Sequence, residues 1–435
     1  MTDAPSSDTP PKTTPTKPLD DGEGEFASGV TATAPSRDWR IDFWRGLAIV
    51  FIFWNHSVDN VMSWFTTKYY GLSDSAELFV FLSGFAMCGM FLSKFLKRPF
   101  MAAPYAVTRA FTLYIHHITA FVVIATLASA YRTYAGSSVM ERDLFVRPFF
   151  IATETVLPKL ATLAYLPPLL DILPLYILLT LLLGLLFPMF RARWPLYAGF
   201  AVSVWLFAFF TGVTLSSYPD TRLWTFNPFA WQLVFLAGFC ACLARDEPWL
   251  RRLVSAPATL ALAITIAIVG FVAAAPWATL GLLEWRPLRI LTDIADKANA
   301  SPIRLIHFLS LALIACWLVR RDSGLGQTKL GRAMVLIGRR SLPLFVISTV
   351  FAAMSHGVFD WFGRSIPVQV VYALGIAAVL VGLAFVADAL GKATKAKKGG
   401  AGSSGPKPVQ PAPRPREQPS AGGTDPVATA SAAAP

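Results

Sequence analysis

Ten runs of apolar residues, each roughly 17–25 long, dominate this chain and limit what it can fold into. A helix needs about 20 such residues to cross the hydrocarbon core of a bilayer, where every backbone polar group must be satisfied internally. The runs cover about 41–62, 75–96, 108–130, 169–190, 196–213, 229–244, 258–283, 303–319, 341–357 and 367–390. They predict an all-α polytopic membrane protein with about ten transmembrane helices. Composition agrees: mean hydropathy is +0.52, and 15% of residues are charged, where a soluble domain carries about 25%.

The net charge of +12 is unevenly placed. Alternate connections are basic: Lys94, Lys97 and Arg98; Arg191 and Arg193; Arg245, Arg251 and Arg252; then Arg320, Arg321, Lys329, Arg332, Arg339 and Arg340. The other connections mix signs. By the positive-inside rule both termini are expected to be cytoplasmic. Basic residues set between apolar spans argue against a nucleic-acid partner and for a lipid bilayer. Residues 1–36 and 392–435, rich in Pro, Ser, Thr, Ala and Gly, predict disordered cytoplasmic tails around a membrane domain at 37–391. The long outer connection 131–168 carries too many aromatics for disorder. Cys88, Cys240, Cys242 and Cys316 lie in apolar spans without metal spacing, and the histidines are scattered, so neither a disulfide nor a metal is expected. The sequence is compatible with a homo-oligomer.

The first span holds the chemistry. In RDWRIDFWRGLAIVFIFWNHSVDN, residues 37–60, a turn of about 100° per residue brings Asp42, Arg45, His56, Asp59 and Asn60 toward one face. Arg45 and His56 share that face about 16 Å apart along the axis. A charge and an imidazole on a lipid-length helix are costly unless they face protein or water, so this face is expected to line a polar path. The second span returns from the outer side through Ser73, Asp74 and Glu77. His56 is the expected general base, with Glu77 or Asp74 orienting the imidazole and stabilising its protonated form. Weaker candidates are His116 and His117, which point about 100° apart; His307 after Arg304; and His356. Arg286 and Arg289 could hold a carboxylate bidentately. Trp224 and Trp231, flanking Asn227-Pro228, read as an interfacial belt, although sugars also stack on tryptophan.

Arg45-Gly46-Leu47-Ala48 followed by His56 resembles the Arg-Gly-x-Ala…His signature of the membrane acyltransferase-3 family, and Glu77 to Phe85 resembles the Phe-Phe-x-x-Ser-Gly-Phe run of its second helix. Arg37-Asp38-x-Arg40-Ile41-Asp42, Ser73-Asp74-x-Ala76-Glu77, Leu173-Pro174-Leu175-Tyr176 and Asn227-Pro228-Phe229-Ala230-Trp231-Gln232 resemble the OpgC branch, the osmoregulated periplasmic glucan succinyltransferases. The resemblance runs from about Arg37 to Leu390. It implies transfer of a succinyl group from cytoplasmic succinyl-CoA, a co-substrate, to hydroxyls of a periplasmic glucan, with no tightly bound cofactor. On that analogy His56 is the catalytic histidine, with Glu77 and Asp74 beside it. Arg45, Asp42 and Arg109 serve the donor; Asp59, Asn60 and His307 bind or orient the acceptor. The sequence departs from the family where many members have Arg-x-x-Arg: Arg109 is followed by Thr112. Lys97, Arg98, Arg339 and Arg340 are the alternatives for the missing charge. An O-acetyltransferase for another surface polysaccharide, or a secondary transporter, are the rival readings.

Overall fold

The computed structural model describes residues 38–219, 222–285 and 287–401. Arg37, Arg286 and the expected tails at 1–36 and from 402 onward lie outside the described residues. Helix accounts for 77% of the structure. In chain order the helices are α1 (Trp39–His56), α2 (Thr67–Tyr70), α3 (Ser75–Phe95), α4 (Ala102–Ala135), α5 (Val139–Asp143), α6 (Arg147–Ile151), α7 (Thr153–Ala161), α8 (Ile172–Phe190) and α9 (Trp194–Thr211). After a two-stranded antiparallel hairpin, Ser216–Ser217 with Arg222–Leu223, come α10 (Pro228–Leu243), α11 (Pro248–Ser255), α12 (Pro257–Ala274), α13 (Arg289–Asp293), α14 (Pro302–Leu318), α15 (Lys329–Arg339), α16 (Ser341–Phe362) and α17 (Ile366–Ala401). One compact unit ends at Asp388 and a second begins at Ala389; the candidate site lies in the first. Helix α17 runs to Ala401, into the segment 392–435 expected as a tail.

Each of the ten expected spans falls on a helix. Among the described residues, seven helices are long and apolar enough to cross a membrane, or eight if α10 and α11, bent by 108°, form one span. The first predicted span is not one of them. Helix α1 carries Arg40, Asp42 and Arg45 within 18 residues. Its neighbours explain how it tolerates them: α3, α15 and α16 pack around it, and Asp42, Phe43, Arg45, Gly46, Ala48, Ile49, Val50, Ile52 and Phe53 are all buried. A helix covered by protein needs less hydropathy than one facing lipid. Helix α14, with 17 residues, is likewise shorter than a full span.

Glycines set how closely α1 is gripped. A Cβ on Gly46 would sit 2.0 Å from the Met334 carbonyl oxygen of α15, and one on Gly338 would sit 1.8 Å from the Asp42 carbonyl. Backbone thus lies directly on backbone, a contact that only small residues permit. Helices α3 and α10 meet in the same way at Gly84 and Gly238. The glycine of the Arg45-Gly46 pair is therefore a packing requirement. The outer connection 131–168 is folded, as its aromatics predicted: α5, α6 and α7 close a second apolar cluster around Phe121, Val156, Tyr165 and Leu170.

Candidate active site

Two cavities lie one beyond the other along α1, and the same four helices line both. The first, about 230 Å³, is bounded by Ile52, Asn55 and His56 of α1, Lys68 of α2, Asp74 and Ser75 at the start of α3, Asp171 and Ile172 at the start of α8, Lys297, and Ser348 and Thr349 of α16. The second, about 190 Å³, is bounded by Arg45, by Phe79, Ser83, Met87 and Met90 of α3, by Arg109 of α4, by Tyr176 and Thr180 of α8, and by Ser341 and Phe345 of α16. Phe345 borders both cavities. Residues eleven apart on one helix face thus open into successive chambers, the arrangement expected for Arg45 and His56.

His56 is the last residue of α1. Its Nδ1 lies 2.7 Å from the Ile52 carbonyl oxygen. A carbonyl can only accept, so Nδ1 carries the proton and donates, and Nε2 keeps its lone pair. A carbonyl oxygen has two lone pairs, so Ile52 can fix the ring while keeping its place in the helix. The imidazole is thus oriented by backbone rather than by a carboxylate hydrogen bond; Asp74 shares its cavity and acts on it through charge, while Glu77 does not border the cavity.

Those two carboxylates do something else. Asp74 is the N-cap of α3, its Oδ1 accepting from the Ala76 N–H at 2.8 Å, while Glu77 Oε2 accepts from the Asp74 N–H at 3.0 Å. This is a capping box, in which an N-cap acid and an acid three residues on satisfy each other's backbone donors. Glu77 is fully buried and pairs through Oε1 with Arg304, which donates from Nε at 2.7 Å and Nη2 at 2.5 Å. Asp74 Oδ2 accepts from Lys297 Nζ at 2.8 Å, with Arg304 Nη2 at 3.5 Å. Burial alone would raise the Asp74 carboxyl, but Lys297 and Arg304 outweigh it and hold it well below the usual carboxylate range. Burial likewise opposes the charge on Lys297, yet Asp74 and Glu77 hold its ammonium above the usual value. Of this group only Asp74 and Lys297 reach the cavity of His56.

The loop that delivers Lys297 is pinned from several sides. Trp231 Nε1 donates to the Lys297 carbonyl at 2.9 Å, the Asn227 backbone N–H to the Ala298 carbonyl at 3.0 Å, and Asn227 Nδ2 to Asn299 Oδ1 at 2.8 Å. Trp205 Nε1 donates to the Ala300 carbonyl at 3.2 Å. Trp231 is 0% exposed and Trp224 5%, so neither forms an interfacial belt. The Asn227-Pro228…Trp231 pattern serves to cap α10 and hold this loop.

The donor-side residues divide. Arg45 and Arg109 share the second cavity, where Arg45 Nη2 also donates to the Leu82 carbonyl at 2.9 Å. Tyr176, of the Leu173-Pro174-Leu175-Tyr176 pattern, donates to Ser83 Oγ at 3.1 Å beside them. Asp42 is buried outside both cavities, 3.7 Å from Arg339 Nε. Thr112, at the departure from the family pattern, donates to the Thr108 carbonyl of its own helix.

The acceptor-side residues do not converge on His56. Asp59 is exposed and pairs with Arg364. Asn60 caps a short 3₁₀ turn, accepting from the Met62 N–H at 3.0 Å. His307 bonds Ser73 Oγ through Nδ1 at 2.8 Å and is wedged between Gly71 and Gly270, where a Cβ would come within 2.6 Å of the ring. The two glycines leave room for its ring, and it borders neither cavity. His116 bonds the Thr112 carbonyl of its own helix, His117 is buried, and His356 faces Asp143; none borders either cavity. Arg289 pairs with Asp293 on an exposed helix.

Sequence reasoning missed Asp171 and Lys68 and gave Lys297 no role. A signal existed for Asp171. It follows Pro167-Pro168, a turn signal in the sequence; in the structure Leu169 between them has φ +75°, a left-handed conformation rare for leucine. Asp171 and His56 interact electrostatically across the first cavity.

Comparison with known protein families decides the relationship. The family described as OpgC protein matches residues 37–391. The chain belongs to the OpgC family. Membership makes it a glucan-modifying transferase involved in modification of osmoregulated periplasmic glucans. No curated protein and no solved structure matches the chain.

Proposed function

We propose that this OpgC protein is a ten-span inner-membrane O-acyltransferase of the acyltransferase-3 type, with both termini in the cytoplasm. It carries a succinyl group from cytoplasmic succinyl-CoA to hydroxyls of periplasmic glucans. The observation that carries this reading is the pair of chambers along α1, one with two guanidinium groups and the next with an imidazole whose Nε2 is available as a base. CoA bears several phosphate charges and does not cross a bilayer. Its pantetheine arm is thin and does not need to. Arg45 and Arg109 face the donor from the cytoplasmic chamber, where guanidinium groups suit amide and phosphate oxygens.

In the periplasmic chamber His56 Nε2 removes the proton from a glucose hydroxyl, and the oxygen attacks the thioester carbonyl. The C–O bond forms as the carbonyl becomes an oxyanion facing Lys297 and Lys68. Collapse breaks the C–S bond, and the imidazolium returns its proton to the thiolate. Asp171 stabilises the imidazolium between these two transfers. The ester remains outside and CoA leaves inward.

The test is purified protein in proteoliposomes, given labelled succinyl-CoA inside and glucan outside. Ester on the glucan is the expected product, and His56→Ala is expected to lower kcat by about 10²–10⁴ with an unchanged melting temperature. A glucan that moves without being esterified would establish the transporter reading instead. Esters formed from acetyl-CoA in preference to succinyl-CoA would replace the succinyl group in this proposal.

A further inference from the structure

The two cavities touch, yet they do not merge. Phe79 of α3 and Phe345 of α16 stand between them, with ring centroids 5.4 Å apart and planes 18° from parallel. Phe345 borders both chambers, Phe79 the one containing Arg45. Tyr176 of α8 meets Phe79 edge-on, its centroid 5.7 Å away. Both phenylalanines are buried, and rings from three helices meet where the two chambers adjoin.

We propose that the Phe79–Phe345 stack is the barrier of this path and its specificity-determining element, selecting a short, thin acyl arm. This rests on the transfer reading above. Two flat apolar rings exclude water and ions while closed, because neither offers a hydrogen bond to either. They also have no hydrogen bond holding them together, so one ring can swing aside for an unbranched chain. The backbone positions behind them are less free. The Tyr176 hydroxyl is tied to Ser83, and Ser83 Oγ donates to the Phe79 carbonyl at 2.8 Å. Ser348 Oγ and Thr349 Oγ1 donate to the Phe345 carbonyl at 2.7 and 3.0 Å. The ring moves while its helix stays. The chamber beyond, about 230 Å³ and walled in part by His56, must hold the acyl group and a sugar hydroxyl together, which favours a short acyl chain.

The barrier is tested without reference to catalysis. Ser348→Cys places a thiol in the His56 chamber and Met87→Cys places one in the Arg45 chamber. In proteoliposomes a small membrane-impermeant methanethiosulfonate is added to one side or the other, with labelling counted above that of the parent chain. Each thiol is expected to react from one side only, opposite for the two. Adding Phe345→Ala, or the milder Phe345→Leu, is expected to make Ser348→Cys reactive from both sides. Reaction from both sides with Phe345 present, or an unchanged pattern after its removal in both variants, overturns the barrier.

The selectivity arm uses acetyl-, succinyl- and hexanoyl-CoA. Phe345→Ala is expected to raise the rate with hexanoyl-CoA relative to succinyl-CoA by tenfold or more, and to speed donor hydrolysis without glucan. An unaltered chain-length preference overturns the selectivity. If the parent protein forms no ester from any donor, the transfer reading and the selectivity fall together, while the thiol pattern still decides the barrier.

Discussion

Replacing Glu77 by Gln separates a structural carboxylate from a catalytic one. Glu77 is 0% exposed and carries three close contacts, two from the Arg304 guanidinium at 2.7 and 2.5 Å and one from the Asp74 N–H at 3.0 Å. In the variant the amide oxygen can still accept from Arg304, but the amide nitrogen then faces the Asp74 N–H, donor against donor. Arg304 keeps only Asp74 Oδ2 at 3.5 Å as a carboxylate partner in this group. Breaking a buried pair from one side costs about 3–5 kcal/mol. At roughly 2.1 cal/mol/K per residue, a roughly 350-residue helical unit has an unfolding entropy near 0.7 kcal/mol/K, so the melting temperature should fall by about 4–7 °C. The fall is read by tryptophan fluorescence of purified protein in detergent. Succinyl transfer, measured well below the transition, should stay within a few-fold of the parent. The double variant Glu77→Gln with Arg304→Gln should lose less than the sum of the two singles, since neither leaves an orphaned charge. A loss of kcat above a hundredfold with an unmoved melting temperature would falsify the capping argument and return Glu77 to the reaction.

Three further outcomes follow from the geometry. Asp171→Asn keeps the shape of a side chain facing His56 and removes its charge, so kcat should fall by about 10–100-fold, with donor KM and melting temperature near the parent values; steady-state kinetics with varied succinyl-CoA decide it. Gly46→Ala puts a methyl 2.0 Å from the Met334 carbonyl oxygen, which α1 and α15 can relieve only by separating. It should cost about 1–3 kcal/mol, read as a lower melting temperature and lower yield. Asp74 is held below the usual carboxylate range, so its contribution is present above about pH 4 and is lost as pH falls; Lys297 is held above its usual value, so its contribution is present below about pH 10 and is lost as pH rises. The melting temperature should drop below about pH 4, and Asp74→Asn should flatten that acid limb.

The sequence alone did not show short helices such as α15, but it carried the helical membrane class, the positions of the long apolar helices, and the face shared by Arg45 and His56. These depend on local quantities: the length of an apolar run and the 3.6-residue turn, which act whatever the neighbours are. It also carried the family, because the motif residues lie close together in the chain. It did not show how the polar groups around His56 are held. Asp74 and Glu77 have the spacing of a capping box, a local pattern legible beforehand, yet their partners Lys297 and Arg304 come from more than two hundred residues away. His307 was read as a site residue because nothing local says that Gly71 and Gly270 will enclose its ring. Asp171 and Lys68 reach the imidazole only after α2, α8 and α1 converge. The covering of α1 by α15 and the ring stack between the chambers belong to tertiary structure for the same reason. Whether a charge on an apolar helix meets lipid, a counter-charge or a cavity is decided by which other helices pack against it, and the order of residues along one helix does not contain that information.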